Sequence, residues 1–285
     1  MSRKLLSYTT IGLILGSTAI ADVPKVAVDI APVHSLVARV MDGVGSPKLV
    51  IPAGASPHEY SLRPSEAKSL QDADMIIWIG EDLAPWMENS IETLSKNAEV
   101  ITLLKESETK LLEFREGALF EEHDHGDHDD HGDHDDHDDH DDHDKEHDDH
   151  DDHDDHDDHD DHAHGEHDPH AWLSIENAQT WLNLVAGKLS AADPDNAGVY
   201  FANAAAAREE INDLVVEVNS ILEPVRGRNF VVFHDAYQYF ETSFNFPAAG
   251  AISLGDATDP SAARIAEIQG RVKDEGINCV LSEPQ

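Results

Sequence analysis

Positive charge is what this chain has least of: 19 lysines and arginines stand against 59 aspartates and glutamates, for a formal net charge of −40. That balance offers no electrostatic footprint for nucleic acid. Cysteine is nearly absent. The single Cys279 implies, in an oxidising compartment, a bond to another molecule or a missing partner. A buried apolar cysteine in the strand "INCVLS" is the equal alternative. No apolar run reaches transmembrane length. No HExxH or comparable motif sets a general base beside metal ligands, which speaks against a zinc hydrolase.

One further absence is local. Between Phe120 and Ala163 there is no apolar residue, within a tract Glu121–Asp168 whose 48 residues carry 27 acidic side chains and one lysine. The tract accounts for −26 of the net charge and the rest of the chain for −14. With nothing to bury and like charges repelling, it is expected to be disordered. It also holds 16 of the 20 histidines, roughly one in three residues: His123, His125, His128, His131, His134, His137, His140, His143, His147, His150, His153, His156, His159, His162, His164 and His167. Imidazole and carboxylate both ligate borderline divalent metals, and His-rich tracts are a metal-binding composition. A solvated acidic linker is the plainer reading, but aspartate alone would serve for that. Without preorganisation, each captured ion must order the chain, so these sites are expected to be weak and interchangeable.

The opening "MSRKLLSYTTIGLILGSTAIA" combines Arg3 and Lys4, a short apolar core and Ala19-Ile20-Ala21, which predicts a signal peptide over 1–21 cleaved after Ala21. No cysteine stands at that site to take a lipid, so a soluble exported protein is expected. Beyond it, strands and helices alternate. "KVAVDI", "PKLVI", "DMIIWIG" and "AEVITLL" read as strands, with the helical stretches "VHSLVARVM", "RPSEAKSLQDA" and "PWMENSIETL" between them. This is the rhythm of an α/β fold with a mostly parallel sheet flanked by helices. The expected organisation is an N-terminal lobe over 22–120 that ends over 169–193, after the tract at 121–168, with "SIENAQTWLNLVAGKLSAAD" read as a helix. A long helix follows over 194–224, in which Ile211, Leu214, Val215, Val218 and Leu222 recur at helical spacing. Strands "NFVVFH", "AAGAISL" and "NCVLS" then place a second α/β lobe over 225–285.

Four histidines remain outside the tract: His34, His58, His170 and His234. His58 follows a strand through the Gly/Pro-rich "PAGASP", His234 ends the strand "NFVVF", and His170 comes directly after the tract. Ligands of open α/β sheets bind beyond the carboxyl ends of the strands, so these three can converge in a cleft between lobes. Any one alone is more often a hydrogen-bonded structural residue.

The stretches "PAGASPHEYSLRPSEAKSLQDADMIIWIG", "DPHAWLS" and "VVFHDAYQYF" resemble three signature stretches of the metal-binding proteins of ABC importers, most closely the zinc-uptake branch with a His/Asp-rich loop at this position. The resemblance covers Lys25–Gln285. It implies two α/β lobes joined by one long helix, a metal cleft between them, and His58, His170 and His234 as ligands. Three neutral imidazoles suit zinc, with a fourth position open to water or carboxylate, although copper, nickel and cobalt compete on raw affinity. Glu59, Asp168, Asp235 and His34 are the candidates to supply a fourth ligand or to back the three. The family continues past "SEPQ" with another strand–helix unit, which implies an incomplete second lobe and a free Cys279. The expected function is a monomeric periplasmic protein that captures zinc and delivers it to a membrane permease with a cytoplasmic ATPase. An exported zinc hydrolase or a plain metal buffer are the alternatives.

Overall fold

The computed structural model describes residues 23–115, 120, 167–253 and 260–282. The first lobe is a four-stranded sheet of β1 (Val26–Val28), β2 (Lys48–Leu49), β3 (Met75–Trp78) and β4 (Glu99–Thr102), all parallel, in the order β2-β1-β3-β4. β1 and β3 are buried along their whole length, as central strands covered on both faces must be. Helices α1 (Ala31–Val40), α2 (Pro64–Gln71) and α3 (Pro85–Leu94) each start with proline in the first turn, where a missing N–H costs nothing. α1 buries Val33, Val37 and Val40, one stripe of the helix.

α4 (Ile175–Ala192) begins where the Ser174 hydroxyl accepts from the Asn177 N–H at 3.2 Å. α5 (Ala197–Leu222) is the long helix, 26 residues or roughly 39 Å at about 1.5 Å per residue. Its first half packs through the large Tyr200 and through Ala204 and Ala207, whose small side chains let the helices approach closely. Its second half differs from the expected apolar stripe. Leu214 is exposed, and Ile211, Val215, Val218 and Leu222 are only half-buried.

The second lobe has β5 (Val231–His234), β6 (Ala251–Ser253) and β7 (Val280–Leu281), parallel in the order β6-β5-β7, with α6 (Gln238–Phe244) and α7 (Ala262–Asp274). Its own buried apolar cluster is small: Phe230, Val232, Ala248 and Ala251, with Phe120 packed against it. Tyr239 of α6 belongs instead to the large core of the first lobe, so α6 ties the lobes together. Two sequence expectations need correction. "PKLVI" supplies only two strand residues, and Cys279 is exposed, not buried, because β7 is a short strand whose two residues both face solvent. The expected signal peptide and all of the tract up to Glu166 lie outside the described residues.

Candidate metal centre

In each lobe the central strand has its two neighbours connected in opposite directions, which opens a crevice at the carboxyl ends. The first lobe fills part of its crevice with its own carboxylate. Asp29, at the end of β1, accepts from the Ile79 N–H beyond β3 and from the Ile30 N–H, both at 2.7 Å. Complete burial nevertheless pushes this carboxyl from 3.8 up to about 7, against the lowering effect of those N–H groups.

His58 is carried by the loop after β2. The Trp86 indole N–H donates to the Pro57 carbonyl at 2.8 Å, and Tyr60 donates to Glu66 at 2.9 Å, so both neighbours of the His58-Glu59 pair are held. His234 is the last residue of β5, and His170 opens the single 3-10 turn Ala171–Leu173 that leads into α4. The three imidazoles meet. Ring centroids lie 5.6 Å apart for His58–His170, 5.7 Å for His58–His234 and 4.9 Å for His170–His234. One nitrogen from each lies within 4.8 Å of the others. Tetrahedral zinc with Zn–N of about 2.0–2.1 Å needs nitrogens roughly 3.3 Å apart, so a modest inward movement completes the triangle.

Asp168 fixes which nitrogen His170 offers. Its Oδ1 accepts from the His170 backbone N–H at 2.9 Å and lies 2.7 Å from His170 Nδ1. An oxygen already accepting one N–H acts as acceptor to the second, so Nδ1 carries the proton and Nε2 keeps its lone pair. That Nε2 is buried and has no hydrogen-bond partner among the described residues. A buried polar atom left bare is costly, and a cation is what a bare imidazole lone pair fits. Asp168 is held in turn. Its N–H donates to Leu112 at 2.9 Å and Tyr239 donates to its carbonyl at 3.0 Å; the Gln238 amide, turned so that its nitrogen faces these acceptors, donates to Oδ2 at 3.0 Å and to the Glu113 carbonyl at 3.1 Å.

The remaining sequence candidates divide. Asp235 follows His234 but is engaged by Arg115, whose Nε donates to both carboxylate oxygens at 3.1 and 3.2 Å. Burial raises the Asp235 carboxyl above its usual range, with the guanidinium opposing that. Glu59 is exposed. His34 sits in the first turn of α1 with Nε2 3.2 Å from the Pro47 carbonyl, outside the three-histidine cluster. His167, the one described histidine of the tract, pairs with Glu113 in an isolated antiparallel bridge. Sequence reasoning missed Arg115, Tyr239, Gln238 and Trp86. Their roles depend on contacts far along the chain, and only the aromatic-rich "HDAYQYF" hinted at two of them.

A family model described as "Zinc-uptake complex component A periplasmic" matches residues 26–285. The high-affinity zinc uptake system protein ZnuA of Paracoccus denitrificans is 50% identical over 272 residues, covering 94% of this chain and 79% of that one. The protein of the same name from Brucella abortus is 46% identical over 270 residues, with 95% and 79% covered. Among solved structures, a crystal structure of ZnuA aligns with a TM-score of 0.67 at 20% identity, covering 92% of this chain and 83% of the other. Zn(II)-bound AdcA from Streptococcus pneumoniae aligns with a TM-score of 0.60 at 23% identity over 91% of this chain and 46% of that one.

Proposed function

The chain belongs to the family of periplasmic zinc-uptake components, and on that premise we propose that it captures zinc in the cleft between its lobes and hands it to an ABC permease driven by a cytoplasmic ATPase. His58, His170 and His234 are the protein ligands, and water or a carboxylate takes the fourth position. Asp168 orients His170. The observation that carries this reading is the buried His170 Nε2, without a hydrogen-bond partner among the described residues, in a cluster of three imidazoles drawn from both lobes.

The finer organisation belongs to the same proposal. A leader ends at Ala21, one lobe runs over 22–120 and 169–193, the linking helix over 194–224 and the second lobe over 225–285. The protein acts as a monomer and is not an enzyme. The tract at 121–168 supplies weak, exchangeable sites by composition alone. The test is growth under zinc limitation in cells lacking this protein. Wild-type chain should restore growth without added zinc, and His170→Ala should not. Full rescue by a chain lacking all three ligands would refute the proposal.

A further inference from the structure

Arg115 is a part-buried cation facing two buried acids. Its Nη1 and Nη2 donate to the two oxygens of Glu241 at 2.8 and 2.9 Å, while its Nε, together with Nη2, engages Asp235. The guanidinium thus grips two acids at once, both on the second lobe, from a segment that leaves the first. A planar fork with five donors can do this, and a lysine cannot. Burial works to lower the Arg115 pKa, but the bonds to Glu241 and Asp235 outweigh it and raise it overall, so the charge stays.

What the fork joins matters more than the pairing itself. Asp235 is one peptide unit from His234, and its own N–H donates to Ser253 at 3.2 Å on the neighbouring strand β6. Three residues before Arg115, Leu112 accepts from the Asp168 N–H at 2.9 Å, and the Leu112 N–H donates to the Tyr239 hydroxyl at 2.9 Å. The segment Leu112–Arg115 therefore holds Asp168, which orients His170, at one end, and Asp235, which adjoins His234, at the other. Those two rings have the shortest centroid separation of the three, 4.9 Å. Resting on the reading of the cleft as a zinc site, we propose that Arg115 is a positioning residue for metal binding: it sets the spacing of His234 against His170 across the lobe boundary.

A structural ion pair would make a different prediction. Buried pairs contribute little net stability, whereas removing one partner leaves the other charge stranded. Arg115→Met strands Asp235 and Glu241. The triple variant Arg115→Met/Asp235→Asn/Glu241→Gln removes the stranded charges but does not restore the fork. The experiment measures zinc and cadmium affinity by chelator competition, and the melting of the metal-free protein, for the wild type and both variants. Arg115→Met should bind zinc on the order of 10- to 100-fold more weakly, as expected when a ligand's support is lost. Its preference for zinc over the larger cadmium ion should also fall. The triple variant should regain the melting temperature but not the zinc affinity or the preference. Wild-type affinity in Arg115→Met, or recovery of affinity along with stability in the triple variant, would overturn the proposal. Failure of the wild-type protein itself to bind zinc tightly would overturn the reading of the cleft beneath it.

Discussion

On the proposed reading, individual side chains carry the metal chemistry, and the first expectations concern them. His58→Ala, His170→Ala and His234→Ala should each weaken tight zinc binding by roughly 100-fold or more, beyond the 10–100-fold typical of residues that only back a ligand. Asp168→Asn, which keeps an acceptor for His170 Nδ1 but loses the charge, should cost about 10-fold. His34→Ala should change affinity little, because its ring is turned to the Pro47 carbonyl. Zinc titration of the five variants checks all of this together. The three histidines that cluster were legible in the sequence because each sits inside a motif at a strand end or loop. Asp168 was legible only as a neighbour in "DPH", since the hydrogen bond that defines its task is a matter of geometry. A second residue-scale expectation concerns Asp29, whose buried carboxyl is pushed up to about 7 from 3.8. Between those values the native chain holds a proton that the unfolded chain releases, so stability falls as pH rises through the window and levels off above it. At about 1.36 kcal/mol per unit, the loss is at most roughly 4 kcal/mol. Asp29→Asn cannot ionise, so denaturant unfolding of the metal-free proteins should show the wild type losing ground to it between pH 5 and pH 8. Parallel pH profiles would show that Asp29 does not titrate in this range.

Among the elements, α6 has the largest role for its length. Only Gln238–Phe244 is helical, yet it sends Tyr239 into the first lobe's core and Glu241 to Arg115. Burial pushes the Tyr239 phenol up to about 12, so its hydroxyl remains a donor at any physiological pH. Tyr239→Phe leaves the Leu112 N–H and the Asp168 carbonyl without that hydroxyl. We expect a loss of about 1–3 kcal/mol in stability from the unsatisfied pair, read by denaturant unfolding, with a smaller loss of zinc affinity transmitted through Asp168. Unchanged stability would mean that water replaces the hydroxyl at no cost. The strand–helix order was legible because buried parallel strands such as "DMIIWIG" are continuous apolar runs, and because proline marks the starts of α1, α2 and α3. The extents of β2 and β7 were not. Both are edge strands two residues long, and ladder pairing, not local composition, decides where such strands stop.

On the proposed reading, the whole molecule divides metal handling between the three-histidine cleft and the acidic tract. Composition alone revealed the tract and its charge. It did not reveal that His167 leaves the tract to pair with Glu113, beside the segment that anchors Asp168 and Arg115. A useful deletion therefore removes residues 121–166 and spares His167. Such a chain should retain about one tight zinc equivalent and lose the weaker ones, as calorimetry would show. The three clustered histidines were legible as three separate motifs, whereas the hydrogen bonds of Arg115 and Tyr239 beside them depend on contacts more than 100 residues apart in the chain. Everything proposed for this chain rests on zinc being held by imidazoles in the cleft. The most direct measurement is X-ray absorption at the zinc edge on the 121–166 deletion loaded with about one equivalent, alone and with His170→Ala. Three nitrogen ligands at about 2.0–2.1 Å are expected in the deletion variant, and the loss of one of them, or of the bound zinc, with His170→Ala. A zinc environment of oxygen ligands only, or one unchanged by His170→Ala, would contradict it.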